Sequence, residues 1–338
     1  VAVQTSSTTV QRPEPAAQPL PRVRRTGGDA LFRLGVAAAG VLVLLVIAGM
    51  VWFLLDQAWP ALRHYGPLSF LTSSRWAPSE AVATRAHPNP YGIVQFIYGT
   101  LLTSAIAMLI TVPVAVAVGL FITDVAPRRL RRPLSGLVDL LAAIPSVVYG
   151  FWGIFALVPA LRPVGNAIDA SLGKVPVVGA VFAGPFFGFS YLAAAVVLSI
   201  MVLPIVTAVC REVFATAPVD EKEAALALGA TRWEMLRMAV LPRSRSGIVG
   251  ASILGLGRAL GETIAVTMLI GNNVLAISKS ILGQGATMAS VIANEFTEAN
   301  QPFHLDSLFV VGFWLLVIAV IVNVAARLIV AQTGQAVP

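Results

Sequence analysis

The chain has 338 residues, 57% of them apolar and 12% charged, with a mean hydropathy of +0.84 and a net charge of +7. Soluble domains hold about 45–50% apolar and about 25% charged residues. A single soluble domain is therefore excluded, and so is intrinsic disorder, which needs low hydrophobicity and high charge. An all-α polytopic membrane protein remains. The lone cysteine, Cys210, excludes a disulfide framework and a cysteine-based zinc site.

Residues 1–30, rich in Thr, Ser, Gln, Pro and Arg, read as a disordered tail. Crossing the hydrocarbon takes about 20 apolar residues. Six segments qualify, at about 34–55, 95–123, 138–161, 189–209, 247–270 and 307–327. The first is too long for the apolar part of a secretory signal peptide, and no small-residue cleavage site follows it. The membrane domain thus spans 31–332, with 333–338 as a short end. Sixteen basic residues fall on the side of the tail, the loops 124–133 and 210–246 and the C-terminal end, against six on the other. Basic loops mark the cytoplasmic side, so both termini are expected there, in a bacterial cytoplasmic membrane. The positive balance then reflects topology rather than nucleic-acid binding. Trp52, Trp59, Trp76, Tyr65 and Tyr91 fit either an outer aromatic belt or ordinary loop packing.

Within span 3, Pro145 predicts a kink, beside Ser146 and Tyr149, which are candidates for lining a polar path. Asp139 is expected to pair with the arginines at 128–132.

The 210–246 loop is far longer than a connection requires. Asp220–Glu223 and Thr231–Glu234 each have a capping-box pattern, with Pro218 ahead of the first. Gly229 sits where a helix end wants a left-handed residue, and Pro242 is expected to stop the second helix. Two short helices joined at Gly229 are predicted. The small apolar run Ala224, Ala225, Leu226, Ala227 and Leu228 suits docking in a groove of another protein. No Gly-x-x-x-x-Gly-Lys-Ser/Thr loop is present, so any ATP that drives this chain binds elsewhere.

Glu223-Ala224-Ala225, Gly229 and Leu241-Pro242 resemble the EAA motif of ABC-importer permeases, with Ala239 where that family usually has Ile. The resemblance implies that Glu223 through Thr231, including Ala230, together with Trp233, form a coupling elbow against a separate ATPase.

Span 5 carries Arg258 and Glu262 near mid-membrane. Counted from Gly247, Arg258 lies ~17 Å deep at 1.5 Å per residue. An ionised group there costs roughly 2.5–3.5 kcal/mol on the insertion scale. Four residues apart on one helix face, the two should point into protein or a watery path. They form either a self-neutralising pair or an anion site. Arginine offers a planar fork of donors to phosphate or sulfate oxygens, and Glu262 accepts a hydrogen bond from the P–OH of hydrogen phosphate. Thr263 and Thr267 are further anion contacts, unless they bond their own i−4 carbonyls. Ala251/Gly255 and Gly257/Gly261 predict close helix packing. Asn272 and Asn273 read as a helix-end cap. His64, His87 and His304 are expected on the surface, with no metal-site spacing.

Gly255–Thr263 and Asp139–Gly153 look like two motifs of the PstC-type phosphate permeases. Membership would imply type I ABC-importer architecture with six spans. It would also imply a PstA-like second permease, a homodimeric PstB-like ATPase holding ATP-Mg, and a PstS-like external binding protein. No cofactor is expected on this chain. Sulfate, molybdate or tungstate remain alternative cargoes. An ion-coupled secondary transporter with Glu262 as proton carrier is a second reading, and a scaffold a third.

Overall fold

The computed structural model describes residues 27–80, 89–176 and 179–334. Residues 1–26 of the expected tail, Arg85, His87 and the last four residues lie outside them; residues 27–30, expected in the disordered tail, are instead the start of the first helix. The described residues contain helices and two isolated bridges but no strand. In lipid every backbone polar group must be satisfied within the segment, which selects helices.

In chain order the helices are α1 (Gly27–Tyr65), α2 (Pro67–Thr72), α3 (Val94–Leu120), α4 (Arg128–Ala143), α5 (Ser146–Trp152), α6 (Val158–Ser171) and α7 (Gly179–Phe182). There follow α8 (Tyr191–Ala215), α9 (Val219–Ala227), α10 (Arg232–Met235), α11 (Leu241–Gly261), α12 (Ile264–Leu269), α13 (Met288–Glu295) and α14 (His304–Gly334). Single π turns extend α3 to Val125, join α5 to α6, and join α10 to α11. The chain divides into two compact units at Met50. Residues 27–50 are the helical part of the first unit, and the elements from α2 onward belong to the second.

Among the described residues five helices are long and apolar enough to cross a membrane: Leu31–Tyr65, Val94–Val125, Ser146–Ser171, Tyr191–Ala215 and His304–Leu328. Two expected spans change. The one placed at 138–161 breaks at Ile144–Pro145, so Asp139 belongs to α4 and the apolar helix starts at Ser146 and runs ten residues further. The one placed at 247–270 breaks at Glu262–Thr263 into α11 and α12. The apolar count was right in both places, but apolarity alone does not report a backbone interruption.

The core is built on α8, whose Ala193, Ala194, Val197, Leu198, Val202 and Val206 are buried. Small residues bring its neighbours close. A Cβ on Gly255 would lie 2.6 Å from Val206 Cγ2, and one on Gly119 would lie 3.3 Å from Cys210 Cβ. Thr111 Oγ1 donates to Ser199 O at 3.1 Å, a hydrogen bond between α3 and α8. The Ala251/Gly255 motif therefore packs as expected. Gly261 has nothing within 4 Å of where its Cβ would be, so the second glycine pair does not.

A second core lies where α2, the residues around Trp76 and Tyr91, α13 and α14 meet. Trp76 and Tyr91 are fully buried in it, while Trp52 and Trp59 stay exposed. Two of the expected belt aromatics are thus core residues. The 271–303 connection is also more than a loop. Its Met288 N–H donates to Thr100 Oγ1 at 3.0 Å, Gln95 Nε2 donates to Val274 O at 2.7 Å, and Gly99 abuts Ala286 O. His304, expected on the surface, is buried and meets Glu295 Oε2 at 2.8 Å, with Trp76 Nε1 donating to the same oxygen at 2.8 Å. Its local sequence carries no sign of these partners. His64 is exposed and stacks on Phe303.

Candidate functional site

Two helix breaks stand side by side. On α11, Ala251, Gly255 and Ala259 turn towards the core, which puts Arg258 on the outer surface of the chain. Glu262 leaves the helix in an extended conformation (φ −69°, ψ 129°). The shared face expected for Arg258 and Glu262 required an unbroken helix. With the helix ended at Gly261, the two form no ion pair, and Arg258 has no bonded partner among the described residues. The expectation that Arg258 points into this chain is corrected: it is exposed, and Glu262 is half-buried. Thr263 Oγ1 donates to Gly261 O at 3.3 Å, and Thr267 Oγ1 donates to Thr263 O at 2.7 Å, the i−4 bond open to a helical threonine.

The second break lies beside the first. A Cβ on Gly150 would sit 3.4 Å from Ala265 Cα, and one on Gly153 would sit 2.6 Å from Leu269 Cδ1. α5 and α12 therefore run in the same direction. Four residues back from each contact lie Ser146 and Gly261, so the breaks share a level. Tyr149 O–H donates to Leu141 O at 2.8 Å and staples the end of α4 to α5 across Pro145. The hydroxyl is thereby committed to structure. Ser146 is half-buried at the start of α5. Asn272, in the left-handed region at φ 49°, donates to Thr267 O at 2.7 Å and closes α12, as a cap should.

The expected elbow has formed. Gly229 has φ +88°, its N–H reaches Leu226 O at 3.0 Å and the Ala230 N–H reaches Ala225 O at 3.1 Å. This is the paired closure of a helix ending on a left-handed glycine. Thr231 and Glu234 make the reciprocal capping box. Hydrogen bonds from the Thr231 backbone N–H, then from its hydroxyl, hold the Glu234 carboxyl below the usual range. Two expectations are corrected. Pro218 occupies the N-cap of α9, so Asp220–Glu223 makes no capping box. Pro242 does not stop a helix but sits in the first turn of α11, where a missing N–H costs nothing.

Ala225 faces the core at 9% exposure, whereas Leu228 is 88% and Trp233 62% exposed. Glu223, Ala224, Leu226, Ala227, Gly229 and Thr231 are exposed too, and Ala230 is half-buried. An apolar knuckle thus projects from the bundle.

Ion pairs that sequence reasoning did not assign tie the elbow down. Lys222 Nζ meets Asp124 Oδ1 at 2.7 Å, and Arg243 meets Glu221 Oε1 at 2.6 Å. Asp139 pairs with Arg211 at 3.5 Å rather than with the 128–132 arginines. The one available signal for the first was an acid, Asp124, closing an otherwise uncharged 32-residue run. An open groove of about 780 Å³ between α11 and α14, lined by Gly257, Asn323 and Arg327 among others, was also unforeseen.

Residues 113–334 match the family model of the binding-protein-dependent transport system inner membrane component. The chain is 42% identical over 314 residues to the phosphate transport system permease protein PstC of Xylella fastidiosa (strain 9a5c), covering 93% of this chain and 94% of that one. It is 42% identical over 302 residues to PstC 2 of Mycobacterium tuberculosis (strain ATCC 25618 / H37Rv), covering 89% and 91%. In fold it is similar to a chain of a bacterial ABC transporter involved in the import of the acidic polysaccharide alginate. The TM-score there is 0.51 at 16% identity, over 89% of this chain and 98% of the other.

Proposed function

The chain belongs to the family of binding-protein-dependent transport system inner membrane components, and from that membership we propose that it is the PstC-type permease subunit of an ATP-driven phosphate importer. Relatives named as phosphate permeases over nearly the whole chain support this reading. It works in a bacterial cytoplasmic membrane, with both termini and the elbow on the cytoplasmic side.

The observation that carries the mechanism is Arg258, exposed and unpartnered four residues ahead of a helix break. Against lipid, a guanidinium at that depth costs roughly 2.5–3.5 kcal/mol. A second, PstA-like permease covering this surface of α11 removes the cost and encloses a path between the two subunits. In that path Arg258 gives phosphate its bidentate donors. Glu262 accepts the P–OH hydrogen, and Thr263 and Ser146 line the same level. Tyr149 acts through the Pro145 break rather than by touching the anion.

Interrupted helices give alternating access a place to bend, because each break lacks the rigid i→i−4 ladder. A PstS-like protein delivers phosphate from outside. The exposed knuckle at Leu228 and Trp233 docks on the PstB-like ATPase, which holds ATP-Mg and performs all hydrolysis.

Arg258→Gln should leave the complex assembled and reduce ATP-driven phosphate uptake in proteoliposomes at least a hundredfold. Uptake at the unsubstituted rate would remove the anion-site assignment.

A further inference from the structure

α9 is joined to the bundle by more than its chain connections. It packs mainly on α10 and the π turn that leads into α11. From its inner face Lys222 reaches away from these to the end of α3, where Nζ meets Asp124 Oδ1 at 2.7 Å. Both side chains are largely buried, 16% and 9% exposed. The other Asp124 carboxylate oxygen is buried without a partner, so Lys222 supplies the side chain's counter-charge.

Asp124 sits in the π turn Phe121–Val125 that ends α3, and α4 also holds that turn. Arg131 Nε donates to Ala126 O at 2.9 Å, and its Nη2 donates to Asp124 O at 3.5 Å. The carboxylate-bearing turn is therefore held by its chain neighbour α4 and by α9, whose Lys222 lies 98 residues away in sequence. The Glu221–Arg243 pair on the same elbow differs in kind. It is 45% and 59% exposed, where water screens the charges.

We propose that the buried Lys222–Asp124 ion pair is the pin that transmits movement of the α9–α10 elbow to α3, making both positioning residues for transport. The inference rests on the permease reading above and deepens it. When a bound ATPase shifts the elbow, α8 and α11 follow through their peptide links. α3 has no such link to α9 and follows through the charge pair. α3 packs along α8 and donates the Thr111 bond to it, so pulling the Asp124 end displaces a helix that runs through the core. Low exposure suits this role, since a pair shielded from water resists separation more than a screened one.

The test is phosphate imported per ATP hydrolysed by the full complex in proteoliposomes, a ratio that does not depend on how much complex assembles. Lys222→Met and Asp124→Asn should each lower it at least fivefold while hydrolysis stays within twofold. The exchange Lys222→Asp with Asp124→Lys should restore at least half of it. Glu221→Gln, which breaks only the exposed pair, should leave it unchanged. Ratios in Lys222→Met and Asp124→Asn equal to the unsubstituted value overturn the pin. So does an exchange variant that hydrolyses ATP without regaining the ratio. If the unsubstituted complex imports no phosphate with ATP, the permease reading falls and takes the pin with it.

Discussion

A carboxylate that caps its own helix is easier to deprotonate than one in water, and Glu234 is in that position. Its folded pKa lies below its unfolded value, so the stabilisation is complete above the ordinary carboxylate range and fades as pH falls through the lowered folded value. Hydrogen exchange at residues 231–235 should therefore quicken in acid beyond the rate change of free peptide, and Thr231→Ala should abolish that extra pH dependence. Arg258 makes the opposite point at the same scale. Its chemistry is legible in sequence, yet the partner it lacks in this chain is not. Gly229 was legible in full, because a glycine between two helix-forming runs has one local use and the structure puts it to that use at φ +88°.

Among elements, the interruptions matter more than the helices. Pro145 flagged one break, since it lacks an N–H and disfavours helical conformation in Ile144 before it. Nothing in Gly261-Glu262-Thr263 flags the other. It depends on α12 lying against α5, where Gly150 and Gly153 admit Met268 and Leu269. The Tyr149–Leu141 bond holds the first break in register. Tyr149→Phe should cost about 1 kcal/mol of stability, the net worth of one such bond. It should also raise hydrogen-exchange access at 141–146, read by mass spectrometry, while phosphate affinity stays within threefold. A large affinity loss would instead return the hydroxyl to the substrate path.

At the scale of the whole molecule, the exposed α11 surface and the projecting knuckle describe an incomplete machine. An arginine on a membrane helix and a tryptophan and leucine in open solvent are tolerable only if other chains cover them. Phosphate uptake should accordingly stop when ATP is depleted with the proton gradient intact, as measured with labelled phosphate in intact cells. Uptake that persists would favour ion coupling through Glu262. Excess unlabelled sulfate or molybdate should leave uptake largely unchanged, because in the proposed path the Glu262 carboxylate accepts a hydrogen bond from a protonated oxyanion and repels one with no proton to share.

Composition and patterning by themselves determined the all-helical membrane class, five of the apolar stretches, and the elbow with its glycine corner. These follow from forces that act locally: transfer of apolar side chains into lipid, and end-capping. Tertiary structure alone decided that two spans are split at one level, that Arg258 and Glu262 part company, that His304 and Trp76 are buried around Glu295, and that Lys222 finds Asp124 98 residues away. Each depends on which helix happens to lie alongside, and the period of one helix carries no information about its neighbour.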